Sequence, residues 1–218
     1  MRKIRIAVMI SGGGTNLQAL IDACAQDDFP AQIVLVLSNK DDAYGLERAK
    51  KSAIPTRVIN HKDYENREAF EGEINIALKE NETELVCLAG FMRILGSTFV
   101  NGWKDRMINI HPSLLPSYKG LHTHERAIED GVRFAGCTVH YVRPEMDDGP
   151  IILQAAVPIS AQDTPESLAA RVLDAEHKIY PEAIKLIAKR RVRIRGHRAF
   201  IEDMVEPSET IINPMLTD

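Results

Sequence analysis

An α/β fold built on an open, mostly parallel twisted sheet with helices on both faces is what this sequence predicts, and three observations predict it. Short aliphatic runs alternate with amphipathic segments at a spacing that indicates right-handed strand–helix–strand units. The first run, Ile4 to Ile10, is nearly continuous in aliphatic residues, as expected of a parallel strand buried on both faces. It ends in a glycine loop, Ser11-Gly12-Gly13-Gly14-Thr15-Asn16, that opens a helix.

The elements follow in order. Leu17, Leu20, Ile21 and Cys24 recur at helical spacing behind the loop. Ile33 to Leu37 reads as a strand, Tyr44 to Ser52 as a helix and Thr56 to Ile59 as a third strand. A helix from about Glu65 to Lys79, a strand at Leu85 to Ala89 and an apolar strand at Met107 to His111 continue the alternation. After His111 the pattern changes. A polar loop runs through Gly120 to a short helix near His122 to Glu129, and strands at about Cys137 to Val142 and Ile151 to Val157 flank the turn Arg143 to Pro150. A long helix, Pro165 to Ala188, is started by a capping arrangement in Asp163-Thr164-Pro165-Glu166. In Lys189 to Arg195, charges alternate with aliphatics, the pattern of a charged edge strand that resists aggregation.

Composition narrows the function classes. A hydrophobic content of 44% in 218 residues is ample for a buried core. With 27 basic against 31 acidic residues and a net charge of -4, bulk attraction to nucleic acid or an anionic membrane is not expected. Cys24, Cys87 and Cys137 lie far apart with no CxxC pairing, the first two among apolar residues, and read as reduced core thiols; no metal-ligand spacing and no bilayer-length apolar run is present. The apolar run behind Met1-Arg2-Lys3 stops too early, at the glycine loop, for a signal peptide, so a cytoplasmic protein is expected.

Several residues carry chemistry. The glycine loop presents backbone amides at a helix N-terminus, which suits a phosphate; a tight strand-to-helix turn is the equally weighted alternative. It is no Walker loop, and Leu17 stands where a dinucleotide loop would have its third glycine. Asn109 and His111 are two apart on a strand and share a face, while Pro112 holds the backbone behind them extended. An amide donor beside a titratable imidazole is what acyl transfer needs, one polarising a carbonyl and the other moving a proton. A histidine near a strand end is by itself more often structural, so its company decides. Asp147 and Asp148 read first as a surface turn; folded over the sheet's rim, a carboxylate there favours the protonated form of His111. Arg93, beyond the strand ending at Ala89, could grip a planar ligand carrying carboxylates, whereas helical Arg67 is by default solvated. His122 and His124 read as loop or helix-start residues.

Taken in order, Ser11 to Asn16, Ala89-Gly90-Phe91-Met92-Arg93-Ile94-Leu95, Asn109 to Pro116, Gly120-Leu121-His122-Thr123-His124, Met146-Asp147-Asp148-Gly149-Pro150 and Glu176-His177-Lys178-Ile179-Tyr180-Pro181 resemble the folate-dependent formyltransferases, those acting on phosphoribosylglycinamide in particular. The resemblance implies a Rossmann-like formyltransferase fold and transfer of a formyl group from 10-formyltetrahydrofolate, as co-substrate, to the amine of glycinamide ribonucleotide in purine synthesis. It implies catalytic roles for Asn109, His111 and Asp147, a substrate-phosphate loop at Gly14, Thr15 and Asn16, and a ribose contact at Glu176. It also implies a folate site formed by Arg67, Met92, Arg93, Ile94, Leu95 and Asn109 with the loop Arg143, Pro144, Glu145, Met146 and Asp147. The choice of Asp147 over Asp148 follows the family's Leu-Asp-x-Gly spacing, here Met-Asp-Asp-Gly.

One formyltransferase domain, 1–218, is expected, with 1–111 serving the phosphorylated substrate, 112–198 the folate side, and 199–218 forming a tail. No metal is called for, and any self-association is expected to be a weak homodimer. Two relatives share the three catalytic residues. Methionyl-tRNA formyltransferase carries a further RNA-binding domain for which 218 residues leave no room. Formyltetrahydrofolate deformylase has a regulatory domain ahead of its first strand. A non-catalytic phosphosugar or nucleotide sensor on the same fold needs the glycine loop but not the three converging side chains.

Overall fold

The computed structural model describes residues 2–205 and 208–214; the rest of the expected tail lies outside the described residues. The run Ile4–Ile10 forms β1, and the glycine loop leads into α1, Thr15–Cys24. Then come β2 (Ala31–Ser38), α2 (Tyr44–Lys51) and β3 (Thr56–Val58), a 3-10 turn at His61–Asp63, α3 (Arg67–Glu80), β4 (Leu85–Leu88), α4 (Ser97–Gly102) and β5 (Met107–His111). The chain continues through α5 (Thr123–Glu129), β6 (Phe134–Tyr141), β7 (Ile151–Pro158), α6 (Pro165–Ala188), β8 (Val192–Arg195) and β9 (Arg198–Ile201).

Seven strands form one sheet in the order β3-β2-β1-β4-β5-β6-β7. The pairs from β3 to β5 are parallel, and β6 and β7 join antiparallel. From β1 the chain works outward to β3 and then returns to β4 on the other side of β1. The loops leaving β1 and β4 therefore diverge and open a crevice at the strands' carboxyl ends, where such sheets bind ligands.

Each face of the sheet carries its own core, because consecutive strand residues point opposite ways. Ile6, Val8 and Ile10 pack with Leu17 and Leu20 of α1, Leu46 of α2 and Leu168 and Tyr180 of α6. Ala7 and Met9 pack with Phe70, Ile74 and Leu78 of α3 and with Phe99 and Trp103. Each fully buried Leu or Ile contributes about 1.5–3 kcal/mol, so both faces hold the sheet firmly. The Tyr180 hydroxyl donates to the Leu88 carbonyl at 2.9 Å, pinning α6 to the end of β4 next to the crevice.

Three local features depart from the sequence expectation. Helix α4 was not expected; its N-terminus has no side-chain cap of its own, and the buried Glu71 of α3 accepts from Gly96 N at 2.6 Å instead. The basic run after α6 is shorter as a strand than its alternation suggests: Lys189 caps α6, and Val192–Arg195 forms β8, an edge strand that pairs with the unexpected β9 in a separate two-stranded hairpin. Strand β6 starts at Phe134, ahead of the expected Cys137. Helix α6 begins and ends as expected, and its capping box is reciprocal between Thr164 and Ser167.

Candidate functional site

The glycine loop is shaped by backbone packing. Gly14 has φ 70° and ψ 38°, a left-handed conformation that costs an L-residue about 1–2 kcal/mol. A Cβ there would stand 2.7 Å from Gly45 Cα, so α2 and the loop touch glycine to glycine. Gly45 N donates to Gly12 O at 3.0 Å, and Arg48 donates through Nε to Gly13 O at 2.9 Å and through Nη1 to Gln18 Oε1 at 3.2 Å. No side chain caps α1 and its first turn holds no acid, so its leading amides are left to a ligand or water.

Asn16 and Glu176 meet beside this loop. Asn16 Nδ2 donates to Glu176 Oε2 at 2.7 Å, and the buried Asn16 Oδ1 has no partner among the described residues. Burial pushes the Glu176 carboxyl up to about 7, against the opposing hydrogen bond from Asn16.

Across the crevice, the buried Ser11 hydroxyl donates to Asn39 Oδ1 at 2.5 Å and accepts from Met92 N at 2.7 Å, tying the loop after β1 to the segment after β4. Met92 and Ile94 are exposed at 65% and 72%, which leaves an apolar lip with Arg93 between them. Leu95 differs from the expectation. Its side chain is buried in the α3–α4 core, which leaves its backbone as what a ligand would meet. Arg67, in the first turn of α3, is exposed, with its Cδ near Gly96.

At the centre, antiparallel register sets Asn109 opposite His140 and His111 opposite Thr138, so these four side chains share a face. His111 is 5% exposed; its Nε2 lies 3.0 Å from Tyr118 O and its Nδ1 lies 3.4 Å from Asp147 Oδ1. Both partners only accept, so both ring nitrogens are matched when each carries a hydrogen. Asp147 is in turn fixed by Gly120 N, which donates to its Oδ2 at 2.7 Å.

Asp148 points elsewhere, to Lys119 Nζ at 2.8 Å, and that ammonium holds its carboxyl below the usual range. The Asp147 loop can approach the rim because Gly149 follows it: at φ 137°, a Cβ there would lie 2.1 Å from Tyr141 O. The segment after His111 is braced by Thr138, whose hydroxyl donates to Ser113 O at 2.7 Å and accepts from Leu115 N at 3.1 Å and Gln154 Nε2 at 3.0 Å.

The structure thus brings together Asn109, His111 and Asp147, and separately Asn16 and Glu176, along one rim. Arg143 does not join the centre; it pairs with Asp105 Oδ1 at 2.6 Å and donates to Val142 O. Pro144, Glu145 and Met146 form the exposed outer part of the loop. His122 is the left-handed residue at the start of α5, as its reading as a helix-start residue implies, and burial pulls the half-buried His124 down. A cavity of about 670 Å³ between α1 and α6, lined by Thr15, Gln18, Arg48 and His177 among others, contains none of Asn109, His111 or Asp147.

Arg48, Tyr118, Thr138 and His140 were not singled out from the sequence. For His140, the signal was the pairing of β5 with β6, which no local pattern states. Cys24, Cys87 and Cys137 are free thiols, the first and last pushed up to about 12 by burial. Among the described residues, no cluster of metal-ligating side chains is present and no helix is long and apolar enough to cross a membrane.

Residues 4–184 match the formyl transferase family profile, and the chain belongs to that family. Among curated relatives, it is 44% identical over 209 residues to the phosphoribosylglycinamide formyltransferase of Haemophilus influenzae, covering 96% of this chain and 99% of that one. It is 54% identical over 193 residues to the bovine trifunctional purine biosynthetic protein adenosine-3, covering 88% of this chain; the match spans only about a fifth of that relative, 19% of its length. The crystal structure of glycinamide ribonucleotide transformylase 1 from Symbiobacterium toebii superposes with a TM-score of 0.90 at 47% identity, covering 92% of this chain and 95% of that one.

Proposed function

We propose that this chain transfers the formyl group of 10-formyltetrahydrofolate to the amine of N1-(5-phosphoribosyl)glycinamide, releasing tetrahydrofolate, in the synthesis of purines. The observation that carries the reading is the meeting of His111 Nδ1 and Asp147 Oδ1 at 3.4 Å, with Asn109 on the same face. The free amine attacks the formyl carbon and a tetrahedral oxyanion forms. Asn109 Nδ2 and the protonated His111 ring donate to that oxyanion, each worth about 3–4 kcal/mol. To do so, the His111 Nε2 hydrogen exchanges the Tyr118 carbonyl for the formyl oxygen. Asp147 holds the imidazolium and relays through water the proton leaving the attacking nitrogen. The bond from the formyl carbon to folate N10 then breaks, and N10 takes up a proton.

The bare amides at Gly14 to Asn16 take the substrate phosphate, and Glu176 takes its ribose. Arg67, the Met92–Leu95 segment and the 143–147 loop form the folate side of the crevice. Residues 1–111 and 112–198 are two faces of one formyltransferase domain, and three free thiols suit a reducing, cytoplasmic compartment. Gly14→Ala is expected to lower stability by more than the left-handed strain of about 1–2 kcal/mol, because its Cβ would also meet Gly45 Cα at 2.7 Å, and to raise KM for the phosphorylated amine roughly tenfold, as displacement of a hydrogen bond to a charged group would. Its kcat should stay near wild type, as steady-state kinetics will show.

The test of the function itself is turnover of purified protein with both substrates. Tetrahydrofolate should appear only when the phosphorylated amine is present, in equal amount with the formylated product. Formate release without the amine would identify a deformylase, and binding of both ligands without turnover would identify a sensor; either result overturns the reading.

A further inference from the structure

We propose that His140 is a positioning residue that sets the rotation of the Asn109 carboxamide, so that Asn109 faces the reaction as an N–H donor. The inference rests on the donor role given to Asn109 above and concerns what enforces it. An asparagine side chain has an oxygen and a nitrogen of nearly equal size, and packing alone hardly distinguishes its two rotations. Only a neighbour of fixed polarity does.

His140 has that polarity. It is 2% exposed, directly opposite Asn109 in the β5–β6 pairing. Its Nδ1 lies 3.0 Å from the Tyr141 carbonyl, which only accepts, so the ring's hydrogen sits on Nδ1. Burial pulls the ring's pKa down and so favours its neutral form, against the hydrogen bond to the Tyr141 carbonyl and the charges of Asp147 and Asp148; a charge on His111 acts in the same direction as burial. A neutral ring with hydrogen on Nδ1 carries a lone pair on Nε2. That lone pair faces Asn109 Nδ2 at 3.3 Å, and of the carboxamide's two ends only the N–H can satisfy it. The opposite rotation would set the amide oxygen against the lone pair. With one N–H thus spent, the second hydrogen of the same Nδ2 remains for the oxyanion.

The backbone supports this aim. The β6–β7 register slips between Val139 and His140, an irregularity of the kind that re-aims a strand side chain. Tyr141 N donates to Pro150 O at 2.9 Å, which holds the carbonyl-bearing residue that fixes the tautomer.

The experiment is a double-mutant cycle on kcat. His140→Phe keeps the ring volume and removes the acceptor; His140→Gln restores an acceptor near the Nε2 position. We expect His140→Phe to lower kcat about 10- to 50-fold, as loss of orientation of one donor would, with both KM values within about twofold, and His140→Gln to recover most of the loss. In an Asn109→Ala background, His140→Phe should change kcat less than about twofold, because the partner is gone. An undiminished effect in that background, a loss carried by KM, or a Gln variant no better than Phe would overturn the proposal. Asn109→Ala at wild-type kcat is a different failure: it would remove the donor role of Asn109 itself.

Discussion

His111→Ala is expected to lower kcat by at least about a hundredfold, the size of effect seen when a donor to a transition-state oxyanion is lost. KM for both substrates should hold near wild type. The ring touches the folate side only through Asp147, and neither the glycine loop nor the Met92–Ile94 lip, so its loss leaves most of the binding surface standing. Asp147 keeps its bond from Gly120 N, and the 112–118 segment keeps the braces supplied by Thr138. The fold should therefore survive, read as a cooperative melt and an unchanged far-ultraviolet spectrum. Turnover within a few fold of wild type in a folded His111→Ala protein would contradict the mechanism.

Glu176→Gln is expected to change how stability depends on pH by about 3 kcal/mol, taking 1.36 kcal/mol per unit for the rise from 4.5 to about 7. The carboxyl has a higher pKa folded than unfolded, so the folded chain binds the extra proton. The wild-type contribution is complete below about pH 4.5 and is lost as pH rises through about 7. The glutamine has no such slope. The variant should gain on wild type steadily between pH 5 and 8, measured as the difference in unfolding free energy at each pH, which cancels His140 and the other titrating groups. The same variant should bind the phosphorylated amine more weakly, since the buried carboxylate and its Asn16 partner face the ribose in our reading. A difference that is flat with pH would show that Glu176 is not held in its raised state.

Much of the fold was legible because its causes are local. Helix α6 begins and ends as expected: the cap at Thr164, proline at the first position and a buried stripe that is apolar except at Glu176 all lie within the segment itself. The glycine loop and the strand ending at His111 were legible for the same reason. Helix α4 was not, because its N-terminal amide is satisfied by Glu71, 25 positions upstream. The basic run was legible as an edge strand, but its partner β9 was not, because nothing in the alternation says which strand it pairs with. Arg143 illustrates the limit for the site: its place in the folate-side loop was expected, but its partner Asp105 lies 38 residues away and no local pattern names it.

By itself, the sequence determined the alternation of elements, the glycine loop that opens α1 and the identity of the residues able to polarise a carbonyl and carry a proton, since periodicity, capping and side-chain chemistry need only neighbouring residues. The tertiary structure alone decided that Asp148 turns away to Lys119, which way Arg143 turns, and that a buried histidine stands opposite Asn109. Those are settled by strand register and by the positive-φ turn around Asp147 and Gly149, which bring together groups remote along the chain.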